Sequence, residues 1–327
     1  MLKHIRLIPL AAESLGVRSM CTYVETSDVR ILLDAGVSLC PYRFGLPPHP
    51  VEFKTIDECR KKIAQFAEKA EIITISHYHF DHYTPSFQDW LCNWTLAEET
   101  ARQIYQDKTV LMKNPKEAIN DSQRRRAWLF QQTAGKHAGK LEVADGRSFI
   151  FGETRVRFSA PVFHGAAYSY LGWVLMLTIE CQDEKFMFAP DVQGPMHRET
   201  LHMIMDEKPH LLIIGGPPLY LAGFKVDETH LQTALANLER ITATVPITIL
   251  EHHLLRDEHW REKTQTVFHK AKETGGRILT AANFLGEQER CHEAVRRRLF
   301  DESPPAKEFE KWMRLDEEAK KREKPPI

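Results

Sequence analysis

Short apolar runs that alternate with segments of helical spacing are the feature that most constrains the fold of this chain. Apolar runs typical of strands occur at Arg30–Leu33 and Ile72–Ile75, and the segment 55–69 between them has apolar residues at helical spacing. Such an alternation favours a sheet with helices packed on its faces. Two further apolar segments, at 5–10 and 19–26, indicate an antiparallel start. The sequence therefore predicts an α/β protein.

The remainder of the chain repeats this alternation. Helices are predicted over 85–106, 122–132, 197–206 and 228–240, and strands over 148–150, 155–159, 173–179, 186–189, 211–214 and 247–250. Thr84 and Pro85 favour the first helix start, because a threonine hydroxyl can cap and proline suits the first helical position. We expect one domain over 1–303 with a helical insertion over about 84–147. The highly charged segment 304–327 predicts a C-terminal extension, an exposed helix with a frayed end.

Composition and charge exclude several other classes of protein. Hydrophobic residues make up 43% and charged residues 27% of the chain, which argues against a disordered, collagen-like or coiled-coil protein. The formal net charge of -1 argues against a general polyanion binder. Membrane spans need roughly 20 apolar residues, and neither such a stretch nor a secretory signal pattern is present. We therefore expect a cytoplasmic protein with no membrane partner, whose six dispersed cysteines are reduced thiols.

The segment ITISHYHFDHY carries the strongest chemical signal. A buried strand runs directly into HYHFDH at 77–82, which holds three histidines and one aspartate within six positions. Imidazole nitrogens and carboxylate oxygens are common ligands of divalent transition metals. A loop at a strand end can direct alternate side chains toward two neighbouring ions. The spacing predicts a site for two metal ions at His77, His79, Asp81 and His82.

This motif resembles the His-x-His-x-Asp-His signature of the metallo-β-lactamase superfamily. Other positions of that signature are matched in order by Asp34 in ILLDAG, His164 in SAPVFHG, Asp191 in FMFAPDVQG, and His252 or His253 in ITILEHH. The resemblance covers about 5–253, and GGPPLYL at 215–221 resembles a loop of a subgroup without an assigned substrate. It implies a four-layer αβ/βα sandwich, with two mixed β-sheets and flanking helices, and with the metal site where strand-end loops converge.

The resemblance also implies a role for each matched residue. One ion would be bound by His77, His79 and His164, the other by Asp81, His82 and His252 or His253, with Asp191 between them. Asp34 would orient a ligand imidazole or the loop after HYHFDH. His252 is slightly favoured over His253 because it is nearer to the strand, and adjacent residues that leave a strand point in opposite directions. Both stay candidates.

Two residues outside the signature are weaker candidates for the substrate pocket. Tyr220 follows a predicted strand end, where α/β layers place ligands, although a packing role explains it equally well. His197 follows Asp191 by six residues and could reach the pocket from a helix start, although a surface position explains it better.

The function implied is a metal-dependent hydrolase in which water activated by two metal ions attacks an ester-type bond, such as a phosphodiester, lactone or thioester. Asp81 and Asp191 would be the catalytic carboxylates, and the ions would be zinc, with manganese or iron as alternatives. We expect a small-molecule or phosphoester substrate. The sequence leaves the oligomeric state open, a homo-oligomer included.

Two other functions remain open from the sequence. A nucleic-acid-processing enzyme or binder could use the three arginines at 124–126, so nucleic acid stays a second candidate partner. About sixty residues separate Asp191 from His252, too few for the large inserted domain that β-CASP nucleases carry there. A di-iron oxidoreductase or a non-hydrolytic metal-binding protein could use the same ligands, because His/Asp sites also accept iron.

Overall fold

Two mixed β-sheets face each other in the computed structural model, which describes residues 2–327. The strands are β1 (Arg6–Pro9), β2 (Thr22–Glu25), β3 (Arg30–Leu33), β4 (Ile72–Ile75), β5 (Thr109–Met112), β6 (Lys140–Val143), β7 (Ser148–Phe151), β8 (Thr154–Phe158), β9 (Val162–Phe163), β10 (Trp173–Val174), β11 (Leu177–Cys181), β12 (Glu184–Ala189), β13 (Leu211–Gly215), β14 (Ile247–Glu251) and β15 (Arg277–Leu279).

Helices cover the outer face of each sheet. They are α1 (Pro50–Lys69), α2 (Ala97–Tyr105), α3 (Asp121–Gln132), α4 (Arg198–Glu207), α5 (Glu228–Thr242), α6 (Trp260–Lys263), α7 (Gln265–Thr274), α8 (Ala281–Leu285), α9 (Arg296–Glu302), α10 (Lys307–Met313) and α11 (Glu317–Arg322). Short 3-10 helices lie at Glu13–Leu15, Ala134–His137, Leu219–Leu221 and His252–Arg256. Among the described residues, no helix is long and apolar enough to cross a membrane.

Each sheet combines antiparallel and parallel strands. The first sheet has the order β1-β2-β3-β4-β5-β6, and its pairs are antiparallel up to β3 and parallel from β3 onward. The second has the order β15-β14-β13-β12-β11-β8-β7, with parallel pairs from β15 to β12 and antiparallel pairs from β12 to β7. The strands β9 and β10 form a separate hairpin.

The alternation of side chains along the strands produces three apolar layers. In β3, Ile31 and Leu33 belong to the cluster between the two sheets, whereas Leu32 packs on the side of α1. Side chains of a strand alternate between its two faces, so this strand is apolar throughout because both faces are covered. A third cluster packs β13 against α4, α5 and α7. The four-layer αβ/βα sandwich implied by the sequence is therefore the observed architecture.

The helix predicted over 85–106 is wrong in its first half, since α2 begins only at Ala97. The Thr84 hydroxyl donates to the Ala35 carbonyl oxygen, and the Asp89 carboxylate accepts from the backbone N–H groups of Leu91 and Cys92. Side chains that bond nearby backbone groups compete with helix formation. The segment 84–96 is consequently a loop.

The C-terminal segment differs from the exposed helix predicted for it. Phe309 and Trp312 of α10 are buried, and both rings pack against Phe53 of α1, with centroid distances of 6.0 and 5.4 Å. The segment 84–147 also contributes more than helices, since β5 and β6 belong to the first sheet. The division into a domain over 1–303 and an extension over 304–327 stays a prediction. All six cysteines are free thiols.

Candidate metal centre

Loops that follow five strands converge at one end of the sandwich, around Asp191. The strands β3, β4, β9, β12 and β14 lead directly, or after one residue, to chemistry-bearing side chains at one end of the sandwich. Asp191 Oδ2 lies 3.1 Å from Nε2 of His77, 3.0 Å from Nε2 of His82 and 3.2 Å from Nε2 of His164. Asp191 Oδ1 lies 3.0 Å from Nε2 of His252 and 3.1 Å from Nε2 of His253. Segments distant in sequence thus meet at one carboxylate.

The ligand atoms fall into overlapping groups small enough to hold metal ions, with all atoms of a group within 4.8 Å of one another. These groups are His77, His79, His164 and Asp191; Asp81, His82 and His252; Asp191, His252 and His253; and Asp34, His77 and His82. His164 Nε2 and Asp191 Oδ1 are buried without a well-formed hydrogen bond. Buried polar atoms usually have a partner, so these atoms and the donor set fit a dinuclear metal centre.

Burial and the neighbouring side chains together set the protonation of His77, His79 and Asp191 to the forms that bind metals. Burial lowers the pKa of His77 well below its ordinary value, and burial with the neighbouring His164 lowers the pKa of His79 to about 3. Both rings are therefore neutral. Although burial alone would raise it, the surrounding imidazoles, His252 first, hold the pKa of Asp191 well below its usual range. Neutral imidazole and ionised carboxylate are the ligating forms.

At two other histidines, His82 and His252, the effect of a neighbouring charge exceeds the effect of burial. Burial lowers their affinity for a proton, but the Asp191 carboxylate outweighs it and raises the pKa of His82 well above its ordinary value and that of His252 to about 9. Metal ions compete with protons for such nitrogens, and binding releases those protons.

Asp34 holds the motif loop from behind. Its Oδ1 accepts from the Ser76 N–H at 2.8 Å, and its Oδ2 lies 2.7 Å from His82 Nδ1. The Ser76 hydroxyl donates to the same carboxylate and lies 3.0 Å from His77 Nδ1. Asp34 is thus placed to fix two imidazole orientations, an arrangement that commonly tunes metal ligands.

Glu13 does the same for His252, and sequence reasoning missed it. Its Oε2 lies 3.0 Å from His252 Nδ1, and its Oε1 accepts from Arg256 Nε at 2.8 Å and from Nη2 at 2.6 Å. Glu13 lies on a short 3-10 helix after β1 and is buried. No local spacing relates it to His252, so no sequence signal could have found it.

A left-handed backbone occurs at three residues that follow strands toward the site: Asp34 (φ 46°), Asp191 (φ 49°) and His252 (φ 68°). Residues other than glycine rarely adopt this conformation, which is often found at functional sites. At His252 it has a direct consequence, because the next side chain no longer points away. His252 and His253 both reach Asp191, so the expectation that they point in opposite directions is wrong.

A cavity of about 1010 Å³ opens above the cluster. Its floor includes His79, Asp81, His164, Asp191, His253 and Arg256. Its wall comes from the loops around 166–171 and 218–227, from Phe80, Phe87 and Arg126, and from Glu317, Glu318 and Lys321 of α11. The C-terminal segment therefore forms part of the wall.

The weaker candidates lie beside this cavity and not among the described residues that line it. Tyr220 has Arg43 stacked 4.4 Å from its ring centre, and His197 packs against Phe163 with a ring separation of 5.0 Å. Their role toward a substrate stays a prediction. Of the three arginines, Arg126 lines the cavity and donates to the Tyr78 carbonyl oxygen at 3.2 Å, whereas residues 124 and 125 are exposed.

The sandwich with a His/Asp cluster at its strand ends defines the metallo-β-lactamase class of fold. The metallo-β-lactamase fold protein YhfI from Bacillus subtilis matches with a TM-score of 0.50 and 13% identity, over 85% of this chain and 97% of YhfI. The resemblance drawn from HYHFDH is confirmed.

Within that class, the chain belongs to the UPF0282 family. It is 43% identical over 305 residues to the UPF0282 protein of Pyrobaculum arsenaticum, which covers 92% of this chain and 96% of the relative. The UPF0282 protein of Methanopyrus kandleri is 42% identical over 298 residues, covering 91% of this chain and 100% of the relative. That of Methanocaldococcus jannaschii is 43% identical over 296 residues, covering 90% and 96%. No family model matches the chain.

Proposed function

We propose that this protein is a metal-dependent hydrolase that uses two divalent ions, zinc in the first place, to cleave an ester-type bond. The observation that carries this proposal is the Asp191 carboxylate, which lies on the floor of a large cavity. Ring nitrogens of five histidines lie within 3.2 Å of this carboxylate. So many buried imidazoles around one carboxylate are costly unless they bind a cation.

Each residue of the cluster has a distinct task in this proposal. One ion would be held by His77, His79 and His164, and the other by Asp81, His82 and His252, with Asp191 in contact with both. When bound, divalent ions make hydroxide accessible near neutral pH and polarise the oxygen of the scissile bond. Asp81 is partly exposed to the cavity, so its carboxylate can accept a hydrogen bond from the attacking water and orient it.

Ionisation of Asp81 is favoured by its surroundings. Although burial would raise it, the nearby His82 and His252 hold the pKa of Asp81 well below its usual range. The carboxylate is therefore an acceptor at neutral pH. Around it, the cavity wall combines apolar side chains with the cations of Arg126 and Lys225, whereas Lys321 is paired with Glu317 and Glu318. This mixture supports a small-molecule or phosphoester substrate with an anionic group.

A nucleic-acid substrate is the second candidate, and Arg126 is the observation that favours it, because this side chain faces the cavity. Affinity that falls steeply with salt for a single-stranded oligonucleotide would support this reading, since each phosphate contact releases counterions. Affinity independent of salt would dismiss it. A di-iron oxidoreductase or a non-hydrolytic metal protein stays a third proposal, which a high iron content, colour and oxygen consumption of the native protein would support.

The experiment that tests the leading proposal combines elemental analysis of the native protein with a screen of chromogenic phosphodiester, lactone and thioester compounds. We expect two equivalents of metal and hydrolysis of at least one class. His77→Ala and His79→Ala should lose metal and activity, whereas His269→Ala, on an exposed face of α7, should lose neither. Activity that survives exhaustive chelation, or that persists in both cluster variants, would reject the proposal.

A further inference from the structure

The adjacent histidines at the end of β14 have chemically opposite partners on Nδ1. His252 Nδ1 lies 3.0 Å from Glu13 Oε2, which is its nearest partner, since Arg256 Nη2 is farther away at 3.4 Å. An ionised carboxylate only accepts hydrogen bonds, so this Nδ1 carries the hydrogen. The neutral ring then has its lone pair on Nε2, the atom that faces Asp191 at 3.0 Å. His252 is thereby prepared as a metal ligand.

The partner of His253 imposes the opposite tautomer. His253 Nδ1 lies 3.0 Å from Arg256 Nη1. A guanidinium has five N–H donors and no acceptor, so His253 Nδ1 must accept. A neutral imidazole that accepts at Nδ1 carries its hydrogen on Nε2. The Nε2 of His253 is then a hydrogen-bond donor and has no lone pair for a metal ion.

Arg256 cannot turn away from this arrangement without breaking other contacts. Its Nε and Nη2 both donate to Glu13 Oε1, and its side chain is buried. The same carboxylate therefore holds the His252 ring directly and the His253 ring through Arg256. His164 differs from both rings, because its Nδ1 lies 3.4 Å from the side-chain amide of Gln193. An amide can present either its oxygen or its nitrogen, so it does not impose a tautomer.

The two rings also differ in what they can reach. His252 is fully buried, whereas the side chain of His253 is 16% exposed and lines the cavity. His253 Nε2 lies 3.1 Å from Asp191 Oδ1, at the cavity floor. Asp191 Oδ1 has no well-formed hydrogen bond despite this approach, so the Nε2–H group of His253 is available to a substrate oxygen bound in the cavity.

We propose that His253 is not a metal ligand but a hydrogen-bond donor, which binds from Nε2 the substrate oxygen on which negative charge develops, with Arg256 as the positioning residue that sets its tautomer. This role rests on the proposed hydrolase function. Donors aimed at developing negative charge contribute about 100-fold or more to kcat. His252 is left as the ligand of the second ion.

The first test compares zinc content and kinetics of full-length variants. Proteins are incubated with excess Zn²⁺, freed of unbound metal by gel filtration, and measured by elemental analysis and with bis(4-nitrophenyl) phosphate. We expect His253→Ala to keep the wild-type zinc content while kcat falls about 100-fold, and His252→Ala to lose one equivalent. His253→Gln, which keeps an N–H donor, should recover part of kcat. Loss of one zinc equivalent in His253→Ala, or an unchanged kcat in it, would overturn the assignment.

The second test reads the tautomers without any substrate. Long-range ¹H–¹⁵N correlation spectra of the zinc-loaded wild type, labelled at histidine, distinguish protonated from unprotonated ring nitrogens. We expect hydrogen on Nε2 of His253 and on Nδ1 of His252. Arg256→Met should allow His253 to populate the other tautomer, whereas Arg256→Lys, which keeps a donor, should preserve the wild-type form. A variant that is only less stable than the wild type would not show a change confined to the ring nitrogens of His253.

A His253 ring with hydrogen on Nδ1 in the wild type would overturn the proposal. If the zinc-loaded wild type cleaves no compound of the chromogenic screen, the hydrolase function fails, while the zinc contents and nitrogen signals still decide whether His253 is a ligand. The two failures are therefore distinguishable.

Discussion

The floor and the rim of the cavity are built in different ways. On the floor, the candidate metal ligands are largely buried, and several have a second partner that fixes the ring, as Asp34 does for His82 and Glu13 does for His252. The rim is the outer part of the cavity wall, formed by the loops around 166–171 and 218–227 and by α11. Tyr168, Tyr170 and Phe224 lie on these loops, with exposures of 87%, 78% and 80%. The floor is thus held in one geometry suited to chemistry, whereas the rim offers surface that can vary with the substrate.

The largest effect should follow from Asp191→Asn, which removes the charge at the centre of the floor. The amide keeps the shape of the side chain but cannot neutralise two cations. We expect loss of bound metal and a fall in kcat/KM of about 1,000-fold. Elemental analysis and kinetics on the same sample check this, with the exposed Asp183→Asn as the control. An Asp191→Asn protein with full metal content would show that the floor does not depend on this charge.

The next largest effect concerns the packing of α10 on α1, which holds the C-terminal segment beside the cavity. Trp312→Ala removes a ring packed between Phe53 and Phe309. Deleting a buried aromatic side chain costs about 3–5 kcal/mol. We expect the segment carrying α11 to detach, with faster proteolysis near the C-terminus and a raised KM at unchanged metal content. Trp128→Ala, at a site 60% exposed, is the matched control and should change neither. Equal proteolysis of the two variants would contradict the packing argument.

A smaller effect is expected from Asp34→Asn, which weakens the support of the floor without removing a proposed ligand. The variant loses the charged acceptor behind His82 and Ser76. Changes of this kind cost about 10–100-fold in metal affinity. Competition with a chromogenic zinc chelator measures it. Affinity equal to that of the wild type would mean that the loop is held by its backbone alone.

The smallest effect should come from Tyr170→Ala on the rim. Its side chain is 78% exposed and lines the cavity. We expect KM to change by less than about tenfold, because only part of an aromatic surface is lost, with kcat and metal content unchanged. Michaelis–Menten kinetics on a small and a bulky ester separate a change in KM from a change in kcat. A large fall in kcat would place this loop among the reacting groups and weaken the contrast between floor and rim.

Local sequence predicted much of the fold and of the candidate site. The apolar runs at β4, β13 and β14 and the helical spacing in α1 were sufficient to predict an α/β protein, and the resemblance carried by HYHFDH implied the layered sandwich. Prediction was wrong at 85–96, where the Thr84 hydroxyl donates to the distant Ala35 carbonyl oxygen instead of capping a helix, and Asp89 bonds neighbouring backbone N–H groups. It also missed the burial of Phe309 and Trp312, because two aromatic residues in a charged segment give only a weak apolar pattern.

By itself, the sequence determined which side chains are available near strand ends, because a buried strand followed by HYHFDH is a local pattern with local geometry. Tertiary structure alone decided which of those side chains meet and what stands behind each ring. Glu13 and His252 are 239 positions apart, and the positive φ at His252 has no signal in the local sequence. Hydrogen-bond partners fix a tautomer, and those partners come from parts of the chain that only folding brings together.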